Sequence, residues 1–99
     1  MEFRLADHGL VFSTRDRGKA MRAGLLADLA PTDTVVMDFG DVLSASYSFL
    51  DEFVSVLAEE IHPRRPELVN VSATISETIE RSLRRRGLDL TIAASLAPA

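Results

Sequence analysis

Residues 34–57, TVVMDFGDVLSASYSFLDEFVSVL, decide the fold of this chain. The run Thr34 to Phe39 is a continuous β-favouring segment, of the kind found when both faces of a strand are covered. Gly40 and Asp41 make a turn, and after a short link an amphipathic helix opens near Ser48. Leu50, Phe53, Val54, Leu57 and Ile61 form its apolar stripe, while Ser48, Glu52, Ser55 and Glu59 fall on the opposite side. Phe49 and Val56 lie on the flank between the two, as core edge or as exposed contact surface. Such a strand-turn-helix unit points to an α/β protein with its site beyond the carboxyl ends of the strands.

Upstream, Glu2–Leu5 and Leu10–Ser13 read as short strands joined by a turn through Asp7, His8 and Gly9. Ser13 or Thr14 caps a helix running to about Leu29, with Met21, Leu25 and Leu29 stacked and Gly18 on the same face for close approach to the sheet. Pro31 ends it. Downstream, the HPRRP loop at residues 62–66 turns the chain into a strand from Glu67 to Ser72. A third helix follows, with Thr74 and Glu77 as a capping box, Ile75, Ile79 and Leu83 as its stripe, and Gly87 in a left-handed turn at its end. Glu77 with Arg81 and Glu80 with Arg84 are favourable pairs on that helix. Leu88, Leu90 and Ile92 alternate as a final edge strand, and residues 93–99 form a helical or frayed tail. The expected order is β-β-α-β-α-β-α-β around a mixed, mainly parallel sheet packed with helices.

Ninety-nine residues predict one domain, and the apolar runs are far short of a membrane span. The opening MEFRLADHG mixes acids with bases, so no signal peptide is expected, and the absence of cysteine fits a cytoplasmic protein without thiol chemistry. A net charge of −4 opposes binding to nucleic acid, the Arg84 to Arg86 run being most simply a helix C-terminus offsetting its dipole.

His8 and His62 are isolated turn residues, and no phosphate-binding loop or metalloprotease motif is present. Asp38, Asp41, Asp51 and Glu52 are the acids nearest the expected functional edge, and a small acidic-site enzyme or a hard-metal site is the alternative reading they allow. Capping and turn roles explain them better: Ser48 with Asp51 matches a capping box. Neither a metal nor a cofactor is expected. Arg15 and Arg22 share one side of the first helix, as surface bases or as ion-pair partners of Asp51 or Glu52.

Two stretches, Thr14-Arg15-x-x-Gly18-x-x-x-Arg22 and Val36-x-Asp38-Phe39-x-x-Val42 followed by Ser48-Phe49-x-Asp51-Glu52, resemble the bacterial STAS-like domains of unassigned function, relatives of the anti-sigma factor antagonists. The resemblance spans roughly Phe12 to Gly87 and implies a non-enzymatic signalling module that binds a protein partner, in the relatives an anti-sigma factor or a serine kinase of the histidine-kinase ATPase type. In those relatives a serine at the start of the second helix is phosphorylated; Tyr47 falls about there in this chain, so the switch does not carry over directly, and if the chain is phosphorylated the expected sites are Ser46 and Ser48 ahead of Tyr47. The expected partner surface comprises Ser46, Tyr47, Ser48, Phe49, Glu52, Ser55, Val56 and Glu59, and its acidic band would select a partner with basic residues around an apolar pocket. Self-association is left open.

Overall fold

A computed structural model of the chain describes residues 1–94. The elements are β1 (Glu2–Arg4), a 3-10 turn (Leu5–Asp7), β2 (Val11–Phe12), α1 (Arg15–Asp28), β3 (Val36–Asp38) and β4 (Ser44–Ala45). A continuous helix follows in three parts, α2 (Tyr47–Leu50), a π-helical stretch (Asp51–Ser55) and α3 (Val56–Ile61). β5 (Glu67–Val69), α4 (Ala73–Arg85) and a 3-10 turn (Leu90–Ala94) complete it. The strands pair in parallel as β1-β3-β5 and, separately, β2-β4. The α/β architecture with open parallel sheets is therefore as expected, with β3 in the centre of the larger sheet.

Alternation along the strands gives that sheet two unlike faces. Phe3, Met37 and Leu68 are in register and form a row toward the helices, with Met37 and Leu68 fully buried. The neighbouring rows, Glu2–Val36–Glu67 and Arg4–Asp38–Val69, point the other way and contain no buried member. The apolar run at Val35 to Met37 does not mark a strand covered on both faces, because every second residue of it faces outward among charges.

An aromatic ladder ties the two sheets to the central helix. Phe12 of β2 stacks on Phe49 (4.8 Å between centroids), Phe49 meets Phe53 (5.5 Å), and Phe53 meets Phe3 of β1 (5.3 Å). Phe49 is therefore core, and its aromatic ring is unavailable to a partner.

Several expectations change. β4 lies in the stretch read as a link; it forms because Leu43 N–H donates to Leu10 C=O (2.9 Å) and Ser46 N–H to Phe12 C=O (2.8 Å), a non-local pairing with little local signal. The final strand through Leu88, Leu90 and Ile92 is instead a 3-10 turn, started by Asp89, whose carboxylate accepts from Thr91 N–H at 2.9 Å. That turn buries Ile92 and leaves Leu90 exposed. Of the expected tail, Ala93 and Ala94 belong to this turn and residues 95–99 lie outside the described residues. Helix α4 is capped by Ser72, not Thr74: Ser72 Oγ accepts from Ile75 N–H at 3.3 Å. Ile75, Ile79 and Leu83 are buried and Gly87 has φ +66°, as read from the sequence. Glu80 pairs with Arg84 at 2.6 Å, but Arg81 lies against Tyr47 rather than pairing with Glu77.

Candidate functional site

The start of the central helix is set by Ser46, whose Oγ accepts from Phe49 N–H at 3.1 Å. Ser48 stands inside the first turn, so the expected capping box of Ser48 with Asp51 does not exist. Ser46 is preferred because the β2–β4 pairing holds its backbone extended (φ −76°, ψ 161°), as an N-cap requires. Ser46→Ala should cost about 1 kcal/mol of stability and Ser48→Ala no more than about 0.5 kcal/mol, since no hydrogen bond to a helix-end N–H is lost with Ser48. Urea melts of the two variants test this, and equal losses would refute the assignment.

One turn further on, the chain is buried on every side from Phe49 to Ser55. Helices α1 and α4 both pack against the π-helical stretch. Val56 N–H bonds to Asp51 C=O, five residues back, and the Glu52 carbonyl accepts from Arg22 Nη1 at 2.6 Å. Glu52 and Ser55, expected on the solvent side, are therefore inside: Glu52 is 8% exposed and Ser55 0%.

The acids carried inward are matched by arginines from both flanking helices. Asp51 accepts from Arg86 Nε (2.8 Å) and Nη2 (2.7 Å), from Arg15 Nη1 (2.8 Å) and from Ser82 Oγ (2.6 Å). Because an ionised carboxylate only accepts, Ser82 gives its proton to Asp51, and Ser55 donates to Ser82 across 2.6 Å. Glu52 accepts from Arg15 (3.0 Å) and Arg22 (2.6 Å). Arg22 also reaches Glu60 (3.0 Å), and Arg86 reaches Glu59 (2.6 Å). Among the described residues no buried polar side-chain atom lacks a partner.

The electrostatics follow from these contacts. Hydrogen bonds from Arg86 above all, then from Arg15 and Ser82, hold the Asp51 carboxyl well below the usual carboxylate range against the opposing effect of burial. For Glu52, burial is the largest single influence and pushes upward, yet Arg22 and Arg15 together bring the net shift below the ordinary value. The Arg86 guanidinium is pushed up by Asp51, and so is that of Arg15.

Thr14, Arg15, Gly18 and Arg22 now have defined places. Thr14 Oγ1 caps α1 by accepting from Arg17 N–H (3.2 Å), and Arg15 and Arg22 hold the two acids. Gly18 lies against the central helix rather than the sheet: a Cβ there would sit 2.8 Å from Phe49 C=O. Asp38 and Asp41 belong to a different region. Asp38 accepts from Asn70 (2.9 Å) and Gly40 N–H (2.8 Å), which lower its pKa, and Asp41 pairs with Arg4 (2.8 Å). Among the described residues no three His, Cys, Asp or Glu side chains gather as a metal-ligand set.

Of the expected partner surface, Phe49, Glu52 and Ser55 are thus interior. Ser46, Tyr47, Ser48 and Val56 are half-buried, and Glu59 is exposed with its carboxylate on Arg86. The acidic band expected to attract a basic partner is divided, with Glu52 internal and Glu59 exposed but paired with Arg86. Sequence reasoning missed Arg81, Arg85 and Arg86 at this place. Arg81 and Arg85 each lie 5.9 Å from the Tyr47 ring centroid. A cleft of about 240 Å3 is lined by Arg15, Tyr47, Asp51, Arg85 and Arg86. A larger groove of about 580 Å3 runs between β1 and α1, with the stacked Phe3 and His8 rings (4.7 Å) and Met21 in its wall.

Among the described residues no helix is long and apolar enough to cross a membrane. No curated protein and no solved structure matches the chain. The family model described as "STAS-like domain of unknown function (DUF4325)" matches residues 17–76, more than half of the chain, from α1 through the central helix to the first turn of α4. With parallel strands, packed helices and this match in agreement, the chain belongs to the STAS-like domain family of unknown function.

Proposed function

We propose that this protein is a non-enzymatic regulatory domain that acts by binding a protein partner, and that the partner docks on the β2–β4 ladder and the adjoining start of α2. The observation that carries this reading is a cluster of exposed apolar side chains. Leu10, Val11 and Leu43 are 46%, 53% and 73% exposed, and among the described residues the only other large apolar side chain so exposed is Leu90. The three lie at one end of the ladder, since Leu43 N–H bonds to Leu10 C=O and Val11 is the register partner of Ser44. Scattered apolar residues are ordinary, but a gathered patch beside polar groups marks an interaction surface. The ladder leads directly into Ser46, Tyr47 and Ser48.

A catalytic reading has less to rest on. Asp51 and Glu52 spend their charges on arginines, and Asp38 and Asp41 hold a turn, so that none of the four acids nearest the expected functional edge is left unpartnered. By resemblance the partner is an anti-sigma factor or a histidine-kinase-type ATPase in a cytoplasmic partner-switching system, with phosphorylation at Ser46, Ser48 or Tyr47 as its control. A phosphate at Ser46 would fall on the cap itself and would alter the start of α2 directly.

The test immobilises the wild-type protein and a Val11→Glu/Leu43→Glu variant and compares the proteins each captures from its host. Both side chains are exposed, so melting should be unchanged, whereas capture of a specific partner should fall at least about tenfold, the loss expected when charge enters an apolar contact. Undiminished capture by the folded variant would exclude the ladder as the docking face.

A further inference from the structure

Arg81 and Arg85 stand one turn apart on α4, both exposed and both beside Tyr47. Among the described residues neither lies within ion-pair distance of a carboxylate; Glu80 is taken by Arg84, and Glu59 and Asp51 by Arg86. Like charges four residues apart oppose helix formation, and the face of a tyrosine only partly compensates them. Among the described residues no ion pair holds these two guanidinium groups where they are.

The adjoining cleft has the same character. Its one acid, Asp51, already accepts from Arg86, Arg15 and Ser82, so it does not neutralise Arg85. Arg15 is 40% exposed and uses only Nη1 in its ion pairs, leaving Nε and Nη2 to face a ligand. A volume of about 240 Å3 admits one carboxylate with its side chain and is small for a nucleotide or a drug-sized molecule. The cleft also adjoins the apolar ladder, because Tyr47 follows the Ser46 whose N–H bonds to Phe12 C=O.

We propose that the Arg15–Tyr47–Arg85 cleft, with Arg81 beside the same Tyr47 ring, is an oxyanion-binding site that receives an acidic side chain from a segment of the protein partner. Guanidinium groups match a carboxylate in two-point geometry, and the Tyr47 ring holds two of them in place before the ligand arrives. An extended polyanion such as nucleic acid would meet the overall charge of −4, whereas a single acidic side chain meets the local charge of the cleft, where three arginines stand against Asp51. This inference rests on the protein-binding reading and reverses the charge expected of the partner, from basic to acidic at this end of the surface.

The test is an amide-shift titration of the labelled protein with an end-blocked peptide carrying a single glutamate among glycines and serines, with inorganic phosphate and with a short single-stranded RNA, repeated on an Arg81→Ala/Arg85→Ala variant. For the peptide we expect saturable shifts centred on Tyr47 and the last turns of α4. Affinity should fall about tenfold or more in the double variant, and should also fall as salt rises from about 20 to about 200 mM. Melting of the double variant should match wild type, since both side chains are exposed. Absent shifts, or equal shifts in the double variant, overturn the site. Phosphate binding as tightly as the peptide at the same residues would make it a site for a free oxyanion, and tighter binding of the RNA would make it a nucleic-acid contact; either result overturns the assignment to an acidic partner segment. The ladder is judged separately by Val11→Glu/Leu43→Glu: failure of that variant to lose capture leaves the titration standing, and a flat titration leaves the ladder standing.

Discussion

Asp51→Ala should destabilise the protein by about 3–5 kcal/mol, the loss typical of breaking a buried ion pair from one side. For a domain of this size that lowers the melting temperature by roughly 12–30 °C. The Asp51 side chain is only 7% exposed, and its removal leaves Arg86, Arg15 and Ser82 without their shared acceptor between α1, the central helix and α4. Arg86 retains Glu59 and is 30% exposed, which places the expected loss toward the lower end of that range. The same contacts predict a pH dependence. Arg86 first, and then Arg15 and Ser82, hold the folded-state pKa of Asp51 below its unfolded value, so the stabilisation is complete above about pH 5, where both states are ionised. It is lost as pH falls from there toward the lower folded-state pKa, because the unfolded chain takes up the proton first. Thermal melts from about pH 7 to about pH 2 should therefore show a steep acid loss in the wild type and a shallower one in Asp51→Asn. Glu52, Asp38 and Asp89 are shifted in the same direction and add to the slope that remains. Identical slopes in wild type and Asp51→Asn would mean that the arginine contacts contribute little.

Gly18→Val should cost about 3 kcal/mol and Gly18→Ala about 1–3 kcal/mol, although glycine to alanine inside a helix ordinarily gains up to about 1 kcal/mol. A Cβ at position 18 would stand 2.8 Å from Phe49 C=O and 3.0 Å from Glu52 Cβ, and the first of these is backbone. Relief requires α1 to move off the central helix. That movement would stretch the Arg22 contacts to Glu52, at 2.6 Å to both its carbonyl and its carboxylate, and disturb the Phe12–Phe49 stack. Gly24 on the same helix is the control, since a Cβ there meets nothing within 4 Å and Gly24→Ala should stabilise by about 0.5–1 kcal/mol. Urea unfolding of the three variants separates the two positions. If Gly18→Ala stabilised as much as Gly24→Ala, the close approach of the helices would be refuted.

The local determinants of this fold are legible residue by residue. Thr14 before a stacked Met21 and Leu25, Ile75, Ile79 and Leu83 with Gly87 beyond them, and the β-branched run before Phe39 each place an element, because helix and strand periods act over a few neighbouring residues. Arg15 and Arg22, seven residues apart on one helix, likewise point to Asp51 and Glu52, the acids that they reach. What the periodicity misread was the sidedness of the central helix. A single apolar stripe implies one buried face, yet α1 and α4 enclose this helix from both flanks and the π-helical turn carries Glu52 and Ser55 inward, so that polar residues are buried where arginines can meet them.

Ser46 became the cap because β4 pairs with β2, a contact between segments more than 30 residues apart that two-residue strands hardly announce. Arg86 is 35 residues from Asp51, and Arg81 and Arg85 are comparably remote from Tyr47. Within the sequence those arginines are only the charged end of a helix. Period, capping chemistry and turn residues are properties of neighbouring residues, and by themselves they determined the parallel α/β class and most elements, while the family entered through the resemblance carried by the motifs around Arg15 and Asp51. Which acids are buried, which serine caps the helix and which arginines remain free for a ligand depend on how distant segments pack, and that was decided only in the tertiary structure.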